Sequence, residues 1–309
     1  MKKLEILTSE EQWKAGETAI AFGMFDGVHL GHQKLMHTAV DAAKQRGIKS
    51  LIYTFSNHPL EIIAPERIPD QIETEEEKIE SIRQSGADAA LLRPFDQRYA
   101  SLDRETYVRF IVEHLNPRVF VIGFNYTFGA KGQGKAEDLK QIGLQYGVET
   151  IVVDEVELGG ETVSSTRIRL ALQDGNVHLA GQLLGRAYRI KGCVESGKHL
   201  GRIFGFPTAN VQVPPKKVLP KFGVYACYAF VEGSRYIAAV NVGVHPTAPE
   251  GTVTIEAFLQ DYDGKPLYGK EMTLEFCAFI RPERKFDSME LLKEEVERNC
   301  QQVKQILHG

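Results

Sequence analysis

Cysteine is scarce: Cys193, Cys227, Cys277 and Cys300 are the only four in 309 residues. No two lie close enough to form a CxxC metal or redox pair, and the chain is too long to depend on a disulfide framework, so reduced thiols are expected. Long hydrophobic runs are lacking too. The longest apolar stretch, near Phe222–Val231, falls far short of the roughly 20 residues a membrane helix needs, which excludes a transporter. Neither sign of charge dominates, with 37 Lys and Arg against 41 Asp and Glu. A net charge of −4 supplies no general field for nucleic acid or an acidic membrane, so any anion site must be a local cluster. The N-terminus follows two lysines with acidic residues and has no apolar core, so it does not read as a signal peptide. The expectation is a cytoplasmic protein that handles small molecules, with no nucleic-acid and no membrane partner. Its oligomeric state is left open.

What is present suits two globular domains. Apolar strand-like runs at 18–25, 48–55, 87–94, 118–124 and 148–156 alternate with helical spacing at 31–46, 75–85, 105–115 and 136–146. In 31–46, Leu35, Met36, Ala39, Val40 and Ala43 form one stripe. Such alternation predicts an α/β fold with a parallel sheet covered on both faces, and a ligand at the C-terminal ends of the strands. The segments 166–173 and 177–184 are still helical in pattern. After about residue 185 come short β-rich runs at 188–194, 224–230, 236–242, 252–259 and 272–280, broken by Gly and Pro. They predict a small antiparallel barrel. A closing helix over 288–307 carries Leu292, Val296, Val303 and Leu307. The expected domains are 1–185 and 186–309.

Chemistry concentrates first in Gly23-Met-Phe-Asp-Gly-Val-His-Leu-Gly-His32, which ends the first of these strands and opens the first helix. Glycines permit unusual backbone there, helix-start N–H groups favour phosphate, and His29 and His32 are three apart, so both imidazoles can face an anion. Farther on, Val163-Ser-Ser-Thr-Arg-Ile-Arg169 precedes a helix. HxGH with SSTxxR resembles the signature pair of the nucleotidyltransferase superfamily. Together with Thr54-Phe-Ser-Asn-His-Pro59 and Gly123-Phe-Asn-Tyr-Thr-Phe-Gly129, it is similar to the FMN adenylyltransferase half of bacterial FAD synthetases. The resemblance implies a Rossmann-like nucleotidyltransferase domain. It gives His29, His32 and Arg169 catalytic roles on ATP, and it assigns nucleotide binding to Gly23, Phe25, Asp26, Gly27, Gly31, His58, Asn125, Ser165, Thr166 and Arg167. Asn57 stands where that family usually has Pro, and Asn125 where it has Asp or Asn. A near-Walker loop, Gly129–Lys135, continues with Ala136 where a Ser or Thr is needed for magnesium, and reads as a flexible glycine-rich loop.

The second concentration is Gly197-Lys-His-Leu-Gly-Arg202 followed by Gly205-Phe-Pro-Thr-Ala-Asn-Val211. In an extended strand Thr208 and Asn210 share one face, about 7 Å apart, and both can reach a hard cation. The run resembles the riboflavin kinase signature, as do Gly223–Ala226, Asn241–Thr247, Tyr268-Gly269 and Phe279–Phe286 in order. The resemblance implies that Glu256 is the general base, that Thr208 and Asn210 hold Mg²⁺, that Gly197, Lys198, Gly201 and Arg202 bind nucleotide, and that Tyr268 and Arg281 bind flavin. Phe258 and Asn299 depart from the family's frequent His and Asp. The implied substrates are ATP, riboflavin and FMN: one ATP converts riboflavin to FMN and a second converts FMN to FAD. Two rivals are a single-activity enzyme with one degenerate half and a non-catalytic flavin-binding regulator. The regulator predicts loss of His29, His32, Glu256 or the PTAN pair, and all are present.

Overall fold

The computed structural model describes residues 3–195, 208–244, 253–263 and 265–308. Contacts divide the chain into two compact units, Met1–Ser164 and Ser165–Gly309. No helix among the described residues is long and apolar enough to cross a membrane.

The first unit is a six-stranded sheet of β1 (Glu5–Leu7), β2 (Thr18–Phe22), β3 (Lys49–Phe55), β4 (Ala89–Arg93), β5 (Pro117–Gly123) and β6 (Glu149–Val153). The order is β1-β4-β3-β2-β5-β6, with every pair parallel. Its helices are α1 (Leu30–Arg46), α2 (Leu60–Ile63), α3 (Glu75–Gln84), α4 (Gln97–Ala100), α5 (Arg104–Leu115) and α6 (Ala136–Gln145). Strand β2 is buried on both faces, and its alternation sorts the two cores. Ala19 and Ala21 face the cluster holding Met36, Ala39 and Val40 of α1, where small residues let the helix lie close. Ile20 and Phe22 face the opposite cluster, with Val108 and Ile111 of α5 and Leu139 of α6. The five expected strands and four expected helices are present. Strand β1 was not foreseen, because three residues with only one buried give no period to detect.

Beside this core lies a buried charge. Glu10 is 1% exposed and accepts from Tyr53 Oη, which also pairs with Tyr99 Oη. Arg93 Nη1 reaches the other Glu10 oxygen at 2.6 Å, and its guanidinium lies 4.3 Å from the centre of the Tyr99 ring.

A small hairpin of β7 (Glu157–Leu158) and β8 (Glu161–Thr162) closes the first unit. The second unit opens with α7 (Ser165–Gln173) and α8 (Val177–Leu184). Then come β9 (Tyr188–Glu195), β10 (Thr208–Val211), β11 (Gly223–Val231), β12 (Ser234–Val244), β13 (Val253–Leu259), β14 (Glu271–Pro282) and α9 (Met289–His308). The strands close an antiparallel barrel in the order β10-β13-β12-β11-β14-β9. Buried Tyr188, Tyr225 and Phe276 contact ring to ring. Helix α9 packs Cys300, Val303 and Leu307 against Ala226, Ile237, Ala239, Ala278 and Ile280. The turn after α7 also docks on the barrel unit. Lys221 N–H donates to Leu172 O at 2.8 Å, and Gly175, at φ +81°, sits so near Phe279 that a Cβ there would lie 3.3 Å from the ring. Helical segments that sequence pattern assigns to the first domain therefore group by contact with the second.

Removing Arg93 leaves the Glu10 carboxylate buried without its cation. Arg93→Met should destabilise the first unit by about 3 kcal/mol, the scale for breaking a buried pair, read as a lowered denaturation midpoint. The second unit's transition should stay in place.

Candidate functional site

In the first unit three motifs sit at the C-terminal ends of the adjacent strands β3, β2 and β5. Chain order reverses on either side of β2, which marks the crevice where open α/β sheets bind ligands. The loop leaving β2 is wound against ordinary preference: Phe25, Gly27 and Val28 all have positive φ, at 51°, 87° and 32°. Burial holds it, since Phe25 is fully buried and Val28 is 2% exposed. Such strain persists only where surrounding packing over-determines it.

The loop delivers His29 as the N-cap of α1, its Nδ1 accepting the backbone N–H of His32 at 3.3 Å. The two imidazoles stack with centres 3.6 Å apart, and Phe25 meets His32 edge-on at 5.2 Å. Gly31 makes room, because a Cβ there would stand 3.2 Å from the His29 ring. His32 Nδ1 is buried with no hydrogen-bond partner among the described residues. Burial, then the His29 and Lys78 charges, push the His32 imidazole well below its ordinary 6.5. In the free protein the ring is therefore uncharged at neutral pH, and an N–H is what it can offer to an anion.

Asp26 turns inward and accepts Ile72 N–H at 2.9 Å and Glu73 N–H at 3.4 Å, tying the loop to the segment before α3. His58 stands just past β3, its Nδ1 accepting Leu60 N–H at 3.1 Å. Asn57 pairs both ways with the Phe95 backbone, donating to the carbonyl at 3.0 Å and accepting the N–H at 2.7 Å. A proline could not do this, so the departure at Asn57 has a structural use. Asn125 is exposed in a turn after β5. The Gly129–Lys135 loop folds back through a bridge between Phe128 and Gly134. The Asp138 carboxylate accepts Lys135 N–H at 2.8 Å at the start of α6, so that helix start is already served by its own chain. Ser165, Thr166, Arg167 and Arg169 lie on the first turns of α7, in the second unit, with both arginines half-buried.

In the barrel, β10 pairs β13 so that Asn210 stands opposite Glu256 and Thr208 opposite Phe258. On the other side of β13, Asn241 of β12 also stands opposite Glu256. Opposed residues share a face, so Asn210, Glu256 and Asn241 form a polar row with neighbouring Cβ atoms about 5 Å apart, and Thr208 lies on the same face diagonal to Glu256, about 7 Å away. The alternate positions Ala209, Val211, Ile255 and Ala257 are buried. Tyr268 is 39% exposed on a turn held by Gly269 N–H to Val194 O. Arg281 is committed inward: its Nε lies 3.1 Å from Glu295 and 3.3 Å from Asn299 Oδ1, both on α9. Arg284 also reaches Glu295, at 2.5 Å. Glu295 thus supplies the carboxylate the arginines need, and Asn299 can be neutral. Sequence reasoning missed Glu295, whose only signal was a charge on the buried stripe of an amphipathic helix. Gly197, Lys198, Gly201 and Arg202 lie outside the described residues.

The profile of the family described as FAD synthetase matches residues 11–167, and that described as riboflavin kinase matches 184–307. A bifunctional riboflavin kinase/FMN adenylyltransferase from Bacillus subtilis is 36% identical over 302 residues, covering 96% of this chain and 94% of that protein. The Escherichia coli K12 protein of the same name is 33% identical over 282 residues, covering 91% of this chain and 90% of its own. A crystal structure named as a macrolide-efflux protein from Streptococcus pneumoniae matches with a TM-score of 0.88 at 30% identity, covering 97% of this chain and 98% of that one. Matched in both halves and nearly end to end, the chain belongs to the family of bifunctional riboflavin kinase/FMN adenylyltransferases.

Proposed function

We propose that this protein phosphorylates riboflavin to FMN and adenylylates FMN to FAD, using one ATP for each step, with the residues assigned as follows. The observation that carries the reading is the cross-strand placement of Glu256 beside Asn210 and Asn241, a carboxylate next to neutral oxygen donors, in a chain whose other unit stacks a histidine pair at a helix start. The functional division is taken as 1–185 and 186–309.

In the kinase step the nucleophile is a neutral ribityl hydroxyl. Glu256 takes its proton as the oxygen attacks the γ-phosphorus and ADP departs. The hydroxyl of Thr208 and the amide oxygen of Asn210 suit a hard, oxygen-seeking cation, and these two residues would hold Mg²⁺. Mg²⁺ bound there would neutralise charge on the ATP phosphates. Gly197, Lys198, Gly201 and Arg202 belong to the ATP-binding loop, and Tyr268 offers its exposed ring to the flavin. Arg281 shapes that site through its tie to α9.

In the adenylyl step the FMN phosphate is already an anion and needs no base. An oxygen of FMN attacks the α-phosphorus and pyrophosphate leaves, so positioning and stabilisation of growing charge do the work. His29 and His32 donate to the phosphates, with Gly23, Phe25, Gly27 and Gly31 shaping the cradle and Asp26 fixing its loop. His58 and Asn125 flank ATP. Ser165 and Thr166 donate to phosphate oxygens, and Arg169, assisted by Arg167, clamps them. The protein acts in the cytoplasm on free small molecules.

Incubation with riboflavin, ATP and Mg²⁺, with FMN and FAD separated by chromatography over time, tests the reading as a whole. FMN should appear first and FAD after it; absence of either product removes that activity from the proposal. His32→Ala should cut FAD formation from supplied FMN by about 100-fold or more, the scale for one lost transition-state donor, with FMN formation near normal. Glu256→Gln should show the opposite pattern. Gln is nearly isosteric, so the barrel should fold, while FMN formation falls by about 10²–10⁴ and added Mg²⁺ gives no rescue. Turnover within about threefold of wild type, well inside that range, would make Glu256 an ordinary strand glutamate. A fragment of residues 186–309 should retain riboflavin phosphorylation, measured as FMN yield; a folded but inactive fragment would refute the proposed division.

A further inference from the structure

Lys78 belongs to neither motif set, yet it is 9% exposed, in a position few lysines occupy without a task. It lies in α3, and its Nζ donates to Phe55 O at 3.0 Å. Phe55 is the last residue of β3, and the segment carrying Asn57 and His58 begins immediately after it. Burial draws the Lys78 amine down from its ordinary range, while Asp26, Glu75 and Glu73 oppose that and favour the cation. Two of these carboxylates are themselves anchors: Asp26 holds the backbone of Ile72 and Glu73, and Glu73 accepts Ser81 Oγ of α3 at 2.6 Å. Lys78 also lies near enough to His32 for its charge to disfavour protonation of that ring. The ammonium group thus stands where three pieces of the first unit meet: the loop leaving β2, the end of β3, and the entry to α3.

A neutral donor would satisfy the Phe55 carbonyl at a lower desolvation cost than a buried ammonium. The cation is therefore explained by what it adds beyond that hydrogen bond. It balances Asp26 under the loop and contributes positive potential beside the histidine pair, where a polyphosphate is expected. We infer that Lys78 is a positioning residue for adenylyl transfer, its cation holding the His58-bearing end of β3 in place beside the His29–His32 cradle. The inference rests on the adenylyl-site assignment given above and adds to it a residue that no signature motif contains.

The test compares Lys78→Met, Lys78→Arg and His32→Ala in the full-length protein, with steady-state adenylylation of FMN at varied ATP as the readout. Riboflavin phosphorylation serves as the folding control, because the kinase residues lie in the other unit. For Lys78→Met the KM for ATP in adenylylation should rise about tenfold, the scale of one charge-assisted hydrogen bond, with a smaller fall in kcat and unchanged kinase constants. Lys78→Arg, which keeps the cation, should stay within about threefold of wild type, well short of that loss. If Lys78→Met lowers only the melting midpoint and leaves KM and kcat within about twofold, Lys78 is a stability residue and the inference is overturned. It is overturned as well if Lys78→Arg melts normally but is as impaired as Lys78→Met. Should Lys78→Met fail to fold, Lys78→Gln retains an N–H donor without the charge. A raised KM for ATP in that variant supports the role of the cation, and a normal KM refutes it. Normal adenylylation by His32→Ala would instead bring down the site assignment itself, an outcome distinct from failure at Lys78.

Discussion

The first unit turns on a short piece of backbone that leaves β2 in a conformation side chains resist. With Phe25, Gly27 and Val28 all at positive φ, the chain between β2 and α1 is bent so that His29 becomes a cap and His32 folds back beneath it. That bend has no stability of its own. It is held from inside by the burial of Phe25 and Val28, from the side by Asp26 gripping the backbone at Ile72 and Glu73, and from below by α1 packing on the small-residue face of β2. A cradle that had to be bent after ATP arrived would draw on binding energy; one bent during folding is ready for the phosphate.

The barrel meets the opposite demand. Its interior is filled with aromatic and aliphatic side chains, so chemistry is confined to polar positions that alternate with the core. The period of two along β10 and β13, together with their pairing, settles which residues can cooperate, and it places a carboxylate beside an amide, with a hydroxyl on the same face one diagonal away, using no special loop. One unit thus makes its site from a distorted turn, the other from undistorted strands. The difference suits the chemistry: one nucleophile carries its own charge and needs a shaped receptor, the other needs a base at a fixed distance.

Much of this was legible in the sequence, because the signals were periodic or punctuated. Strand–helix alternation announced the parallel sheet, the Gly- and Pro-broken β runs announced the barrel, and a two-residue spacing put Thr208 and Asn210 on one face. Long-range partners were not legible. Nothing local tells that Asn57 pairs with the Phe95 backbone, that Asp26 faces inward, or that Glu295 gathers Arg281 and Arg284. These depend on tertiary neighbours that no window of residues contains. Lys78 was obscured for a related reason: amid the acidic residues that open α3, a lysine reads as one more solvated charge. Strand β1 and the grouping of 165–184 with the barrel also depend on contacts made far along the chain.

The close approach of Gly175 to Phe279 carries a consequence for how such a chain can be divided. Residues 165–184 have two claimants: the phosphate signature in α7 ties them to one activity, and their packing on Lys221 and Phe279 ties them to the body of the other. Cutting after residue 184 keeps the signature with its own activity and costs the barrel this packing, hence stability, without touching Thr208, Asn210 or Glu256; cutting before residue 165 keeps the packing and removes the signature. A separation of the two activities into independent polypeptides, by an engineer or by gene fission, is least disruptive when the segment is duplicated, so that each product inherits its own copy.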